Sequence, residues 1–154
     1  MYTSAFYGSW TDATYNPKYP IKVSQGNSLF GDSDVTDTKV PIDITGSTTN
    51  HSGLFVGSDI ITIRKLIVAA HNAYNNTFST SSLEDITFEG EIGKNISFSQ
   101  CEKLTDASVQ SIIDHLKDMT DATAPTLTFH ATVGSKLTQV QKDTISAKNW
   151  TLAY

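Results

Sequence analysis

The chain has 154 residues, 38% of them hydrophobic and 18% charged, with 11 Lys+Arg against 16 Asp+Glu, a net charge of −5 and a single cysteine. That length fits one domain burying roughly two thirds of its unfolded surface. The acidic balance disfavours a nucleic-acid partner, no apolar run approaches the roughly 20 residues of a membrane span, and one cysteine excludes an internal disulfide. Low charge with 17 Ser and 21 Thr favours strands and turns over a helical bundle.

No hydrophobic stretch follows Met1, so no signal peptide is expected. Six of the fifteen aromatics, Tyr2, Phe6, Tyr7, Trp10, Tyr15 and Tyr19, fall in the first nineteen residues. Two readings stand for them: a lid over the first structural unit, or an apolar end that meets another subunit or a preceding part of a longer chain. From Ile21 onward a short apolar-x-apolar unit recurs: Ile21-Lys22-Val23, Val40-Pro41-Ile42, Leu66-Ile67-Val68, Ile86-Thr87-Phe88, Leu127-Thr128-Phe129 and Leu152-Ala153-Tyr154. Their starts are separated by 19, 26, 20, 41 and 25 residues, mostly near the roughly 20–29 residues of a leucine-rich repeat. Ile63-x-x-Leu66-x-Val68 and Leu83-x-x-Ile86-x-Phe88 share a fuller pattern. Alternation turns the flanking members of each unit inward and the middle member outward.

Phe30, Phe55, Phe78 and Phe98 follow the first four units by 9, 15, 12 and 12 residues, each in a small polar setting. This phase predicts one Phe per pass of the chain, returning to the core and stacking on its neighbour. Hairpin turns such as Asn-Gly are scarce and the connections are long, so the units are expected to pair in one parallel sheet. The 41-residue gap is expected to hold an amphipathic helix. Thr105 caps it, Asp106 sits in its first turn, Val109, Ile112, Ile113, Leu116 and Met119 form its stripe, and Gln110, Asp114, Lys117 and Asp118 face water. Pro125 follows and starts the strand Thr126 to Phe129. A second helix is expected from about Gln139 to Ala147, capped by Thr138, with Val140 and Ile145 inward. Trp150 then leads into a last strand ending at Tyr154.

Ser82-Leu-Glu-Asp-Ile-Thr-Phe-Glu-Gly-Glu-Ile-Gly-Lys-Asn-Ile-Ser-Phe-Ser-Gln-Cys101, with its strand and its Ile-x-Phe-x-x-Cys return, resembles a repeat of the BspA-like leucine-rich-repeat proteins. Leu104 to Ile113 is similar to the helix that follows the last repeat in that family, and Thr126–Phe129 with Lys136–Leu152 resembles its terminal unit. These proteins occur on bacterial surfaces and in phage and prophage tail regions. The resemblance covers 82–154 well and 20–81 more loosely; Ser4 to Trp10 looks like half of a repeat whose strand is missing. It implies an α/β leucine-rich-repeat solenoid with a short-stranded parallel sheet, irregular returns and a helical C-terminal cap. The division would be a partial first coil over 1–20, repeats over 21–101 and a cap unit over 102–154. The family supplies a scaffold and no catalytic residues.

His51, His71, His115 and His130 show no metal-ligand spacing; His71 and His130 each end a strand unit and read as polar turn or sheet-face residues. Cys101 has no neighbouring basic group and reads as a buried, inert thiol. Asp32, Asp34 and Asp37 resemble part of a calcium loop, but the glycine at its sixth place and the glutamate at its twelfth are missing, so this reads as a polar connection. Asn50, Asn75, Asn95 and Asn149 head formal glycosylation triplets of a kind that a Ser/Thr-rich chain produces by chance. No nucleophile elbow, P-loop or dinucleotide fingerprint is present. The expectation is a protein without enzymatic activity, cofactor or metal.

A binding role would then fall on the outward sheet face, with Lys22, Asp43, Lys65, Asp85, Glu89 and His130 as candidates. The outward rows hold no aromatic and no Trp, Tyr or Arg anchor, which disfavours a sugar-stacking platform there and points to a modest polar contact. Phe6, Tyr7, Trp10, Tyr15 and Tyr19 are the candidate assembly end, for a protein partner or for self-association. Two functions follow. The chain is a protein-binding or structural module of a phage tail or bacterial surface assembly, placed on the virion or cell surface. Alternatively it is a free-standing phage or prophage protein that binds and inhibits a host protein in the host cytoplasm.

Overall fold

A computed structural model of the chain describes residues 12–23, 28–46 and 51–154. Among the described residues, seven strands and three helices occur in chain order: β1 (Ile21–Lys22), β2 (Ile42–Asp43), β3 (Thr62–Val68), β4 (Asp85–Gly90), β5 (Ile96–Phe98), α1 (Asp106–Asp114), β6 (Thr126–Phe129), α2 (Ala131–Gly134), α3 (Gln139–Ala147) and β7 (Thr151–Ala153). The strands form two sheets, β1-β2-β3-β4 and β5-β6-β7, and every pairing is parallel.

Parallel pairing is not confined to these strands. The Phe30 N–H donates to the Leu54 carbonyl at 2.9 Å, and the Phe55 N–H donates to the Thr77 carbonyl at 3.0 Å. Successive passes of the chain therefore bond side by side on the far side of the core as well. Left-handed backbone positions recur in the same phase, at Ser28 (φ 54), Gly53 (φ 70) and Asn76 (φ 52).

Between the two sides lies one continuous core running from Tyr15 to Trp150. Its spine is a stack of five rings, Phe30, Phe55, Phe78, Phe98 and Phe129. Successive centroids are 5.5, 6.0, 4.5 and 6.1 Å apart and successive planes lie within 25° of each other. The four Phe picked out by their phase all take part. The fifth rung, Phe129, comes from a strand unit, and Phe98 itself lies in β5.

The single sheet expected through all six units is instead split in two. Leu127-Thr128-Phe129 and Leu152-Ala153 pair with Ile96-Ser97-Phe98, not with the first four units. The physical reason is α1, which occupies the edge of β4 where a fifth strand would lie. The Ile86 N–H donates to Ser108 Oγ and the Phe88 N–H to Ser111 Oγ, both at 2.9 Å, so helix hydroxyls satisfy the edge of the sheet. Within the first sheet two units are also displaced by one inward pair. Ile21 aligns with Ile42 and Leu66, and Leu66 aligns with Phe88, so the ranks run through Ile42-Asp43-Ile44 and Phe88-Glu89. Gly90 ends β4 at φ 93, against the Val68 carbonyl, where a Cβ would collide with backbone.

The helices begin where their caps dictate. Thr105 accepts from the Ser108 N–H at the start of α1, and Val109, Ile112 and Ile113 are buried. Thr138 and Gln141 form a reciprocal capping box at the start of α3. Ile145 is buried, but Val140, expected inward, is 74% exposed. The four-residue α2 was not foreseen. Lys148 Nζ donates to the Ile113 and Asp114 carbonyls, both at 3.0 Å, placing a cation on the C-terminal end of α1. Asn149 (φ 58) donates to the Met119 and Ala122 carbonyls, and Trp150 Nε1 donates to the Lys117 carbonyl at 2.8 Å. The terminal unit is thereby stitched to the chain that follows α1.

Candidate functional site

Outward residues of the first sheet share ranks set by its register. Lys22, Asp43, Ile67 and Glu89 lie side by side across the four strands. The regular two-residue alternation breaks in β3. Ile63 pairs with Ile86 and Leu66 with Phe88, so two residues of β3, Arg64 and Lys65, stand against Thr87 alone. This bulge turns both cations to the outer face instead of sending one into the core.

Each cation is held by a carboxylate from a different part of the chain. Arg64 Nε reaches Asp37 Oδ1 at 3.0 Å and Arg64 Nη2 reaches Asp37 Oδ2 at 2.5 Å, a two-pronged pair. Lys65 Nζ lies 2.7 Å from Glu89 Oε2. Burial works to raise the Asp37 carboxyl, but the hydrogen bonds from Arg64 and from the Lys39 N–H, with the charges of both residues, hold it below its ordinary value. Asp43 is likewise lowered, chiefly by the Thr45 hydroxyl (2.7 Å) and N–H (3.0 Å), with Lys22 adding a favourable charge. Asp85 accepts from Thr105 Oγ1 at 3.0 Å. The pairs lie at the surface, where water and salt screen them, so their partners can be exchanged at little cost.

Five of the six candidates on the outward face, Lys22, Asp43, Lys65, Asp85 and Glu89, thus share the first sheet. His130 does not belong with them. It follows β6 on the second sheet, where its Nδ1 accepts from the Thr132 N–H at 3.2 Å and caps α2. Arg64 belongs to the face and had no place among the candidates. Its signal was Ile63-Arg64-Lys65-Leu66, two polar residues between two inward ones, which no unbulged strand produces.

Of the aromatic assembly end, Phe6, Tyr7 and Trp10 lie outside the described residues. Tyr15 is buried and sets its edge against Phe30 (6.0 Å, 83°), closing the end of the ring stack, so it is no exposed contact. Tyr19 is 78% exposed. Lys39 Nζ donates to the Asp12 and Tyr15 carbonyls at 3.0 and 2.9 Å and ties this segment down.

Cys101 is fully buried, with Sγ 3.2 and 3.3 Å from the Phe78 and Thr80 carbonyls, and burial pushes its thiol up to about 12. It is a thiol at neutral pH and no nucleophile. His51 is fully buried, and neither ring nitrogen has a well-placed hydrogen-bond partner among the described residues. Burial holds the ring below its ordinary value, the Ile44 backbone opposes this, and the charge of His71 adds to it. Among the described residues no three His, Cys, Asp or Glu side chains are grouped to hold a metal ion. Likewise no helix among them is long and apolar enough to cross a membrane. No protein-family model matches the sequence, and no curated protein or solved structure is significantly similar to it.

Proposed function

We propose that the chain is a BspA-like leucine-rich-repeat solenoid closed by a helical cap, working without catalysis as a protein-binding or structural module of a phage tail or bacterial surface assembly. The observation that carries this reading is the bulge that sets Arg64 and Lys65 together on the outer face of a parallel sheet. The five-ring stack gives that face a rigid backing. Backbone ladders on both sides of the core, repeating with the rings, support the solenoid.

A partner would exchange its own carboxylates and amides for Asp37 and Glu89, giving a polar contact that weakens with salt. The test is capture by the immobilised chain against the Arg64→Glu, Lys65→Glu double variant. A partner kept by the first and lost by the second supports the face; equal retention by both, or retention by neither, rejects it. The assembly role has its own test in light scattering. A dimer or larger species that falls apart on Trp10→Ser supports it, and a monomer in both removes it.

A further inference from the structure

The second sheet presents a different chemistry. Alternation on β5 and β6 sends Ile96, Phe98, Leu127 and Phe129 into the core and leaves Ser97, Thr126 and Thr128 outside. These hydroxyls floor a trough made of two adjoining cavities of about 430 and 500 Å³, which share Asn75, Asn95 and Thr126. Asn75, Asn76 and Asn95 line it beside that floor, and Met119 and Pro125 add an apolar shoulder at one end. Lys94 is the one charged residue along it among the described residues. No carboxylate of the described residues lines it, in a chain that carries 16.

The polar groups are held in place before any ligand arrives. Asn95 Oδ1 accepts from the Thr126 N–H at 2.9 Å, which fixes the amide and leaves its NH2 as a donor. Ser97 Oγ is held by Ser99, whose N–H and hydroxyl lie 3.3 and 3.2 Å away. Asn76 sits in the left-handed region at φ 52, in a turn that presents an exposed side chain.

Amides and hydroxyls each donate and accept. A ligand suited to this trough offers donors and acceptors side by side without charge, as the adjacent hydroxyls of a saccharide do. An anion would want more than one cation. An added peptide strand could use only the outer edge of β5, since β6 is paired on both sides. We propose that the trough is a binding site for a neutral linear oligosaccharide, held by hydrogen bonds from Asn76, Asn95, Ser97 and Thr128, with its C–H face on Met119 and Pro125. The site is separate from the charged face of the first sheet and does not depend on the role assigned to it. With no aromatic ring lining the trough among the described residues, binding of a short fragment is weak, on the order of 1 mM.

The test is a titration of the full ¹⁵N-labelled chain with cellohexaose, maltohexaose and chitohexaose, followed by amide shifts. One of these sugars is expected to move the amides of residues 75–76, 94–98 and 126–128. Thr128→Val keeps the branched shape and removes the hydroxyl; it and Ser97→Ala are each expected to weaken binding about fivefold. Their unchanged amide spectra elsewhere show that the fold is kept, and Arg64→Ala leaves the affinity as it was. The proposal is overturned if none of the sugars moves these amides, if the Thr128→Val and Ser97→Ala variants both bind as well as the natural chain, or if an extended neutral peptide moves the same amides at lower concentration.

Discussion

At the scale of single residues, the ring stack is the feature with the largest energetic consequence. Phe98 is fully buried, with ring neighbours at 4.5 Å (Phe78) and 6.1 Å (Phe129). Phe98→Ala is expected to cost about 3–5 kcal/mol in urea unfolding; a cost near zero would place the ring outside the core. His51 carries a pH dependence. Its folded pKa lies below the ordinary 6.5. Between those two values the unfolded chain binds more protons than the folded one, so stability is fully present above about 6.5 and falls as the pH drops through it. The melting temperature is expected to fall from pH 7.5 to 5.5, and less in His51→Leu; parallel slopes in the two proteins would show that His51 does not titrate out of a buried site. The rings were legible because one Phe recurs per pass among small polar neighbours. Val140 was misjudged because it stands five positions from Ile145, about 140° around a helix, so the two cannot both face the core. His51 gave no warning, since the burial of a single imidazole has no sequence pattern.

At the scale of elements, α1 does what a fifth strand would otherwise do. Ser108 is buried, accepts from the Ile86 N–H and donates to the Glu84 carbonyl, both at 2.9 Å. Ser108→Ala strands a buried N–H and a carbonyl at the sheet edge and is expected to cost about 1–3 kcal/mol. Gln110→Ala, on the exposed face of the same helix, is expected to cost less than about 0.5 kcal/mol. Equal costs in chemical denaturation would mean that the helix contributes through its apolar stripe alone. The starts of both longer helices were legible to the residue because Thr105 and Thr138 are chemical start signals, but the stripe read through Leu116 and Met119 overruns α1, which ends at Asp114 with His115 as its C-cap. The split of the sheet was not. Ile96-Ser97-Phe98 and Ile86-Thr87-Phe88 have the same alternation, and alternation tells a strand which side to bury without telling it which strand to join. The bulge was half legible: Arg64-Lys65 breaks the period, and only the pairing with Thr87 shows that both side chains go outward.

At the scale of the whole molecule, the question is whether a stack of passes, each touching mainly the next, unfolds as one unit. An array of nearest neighbours frays from its ends when the coupling between neighbours is weak. Here the coupling is dense. The rings touch in series, the backbone is laddered on the far side of the core between residues 28 and 79 as well as within each sheet, and the core is unbroken from Tyr15 to Trp150. Cys101 reports on this. Its thiol is fully buried and pushed up to about 12, so at pH 8 it reacts with a thiol reagent only when the structure around it opens. Phe98 is its near neighbour in sequence; Phe30 lies three rungs away along the stack. With cooperative unfolding, Phe98→Ala and Phe30→Ala both speed the labelling of Cys101 by about tenfold for each 1.4 kcal/mol that they cost in denaturation. The opposite pattern is just as readable. If Phe30→Ala lowers the denaturation midpoint while the labelling of Cys101 keeps its natural rate, the N-terminal passes open alone. The first sheet would then be a segment that can loosen while the second sheet and its trough stay formed.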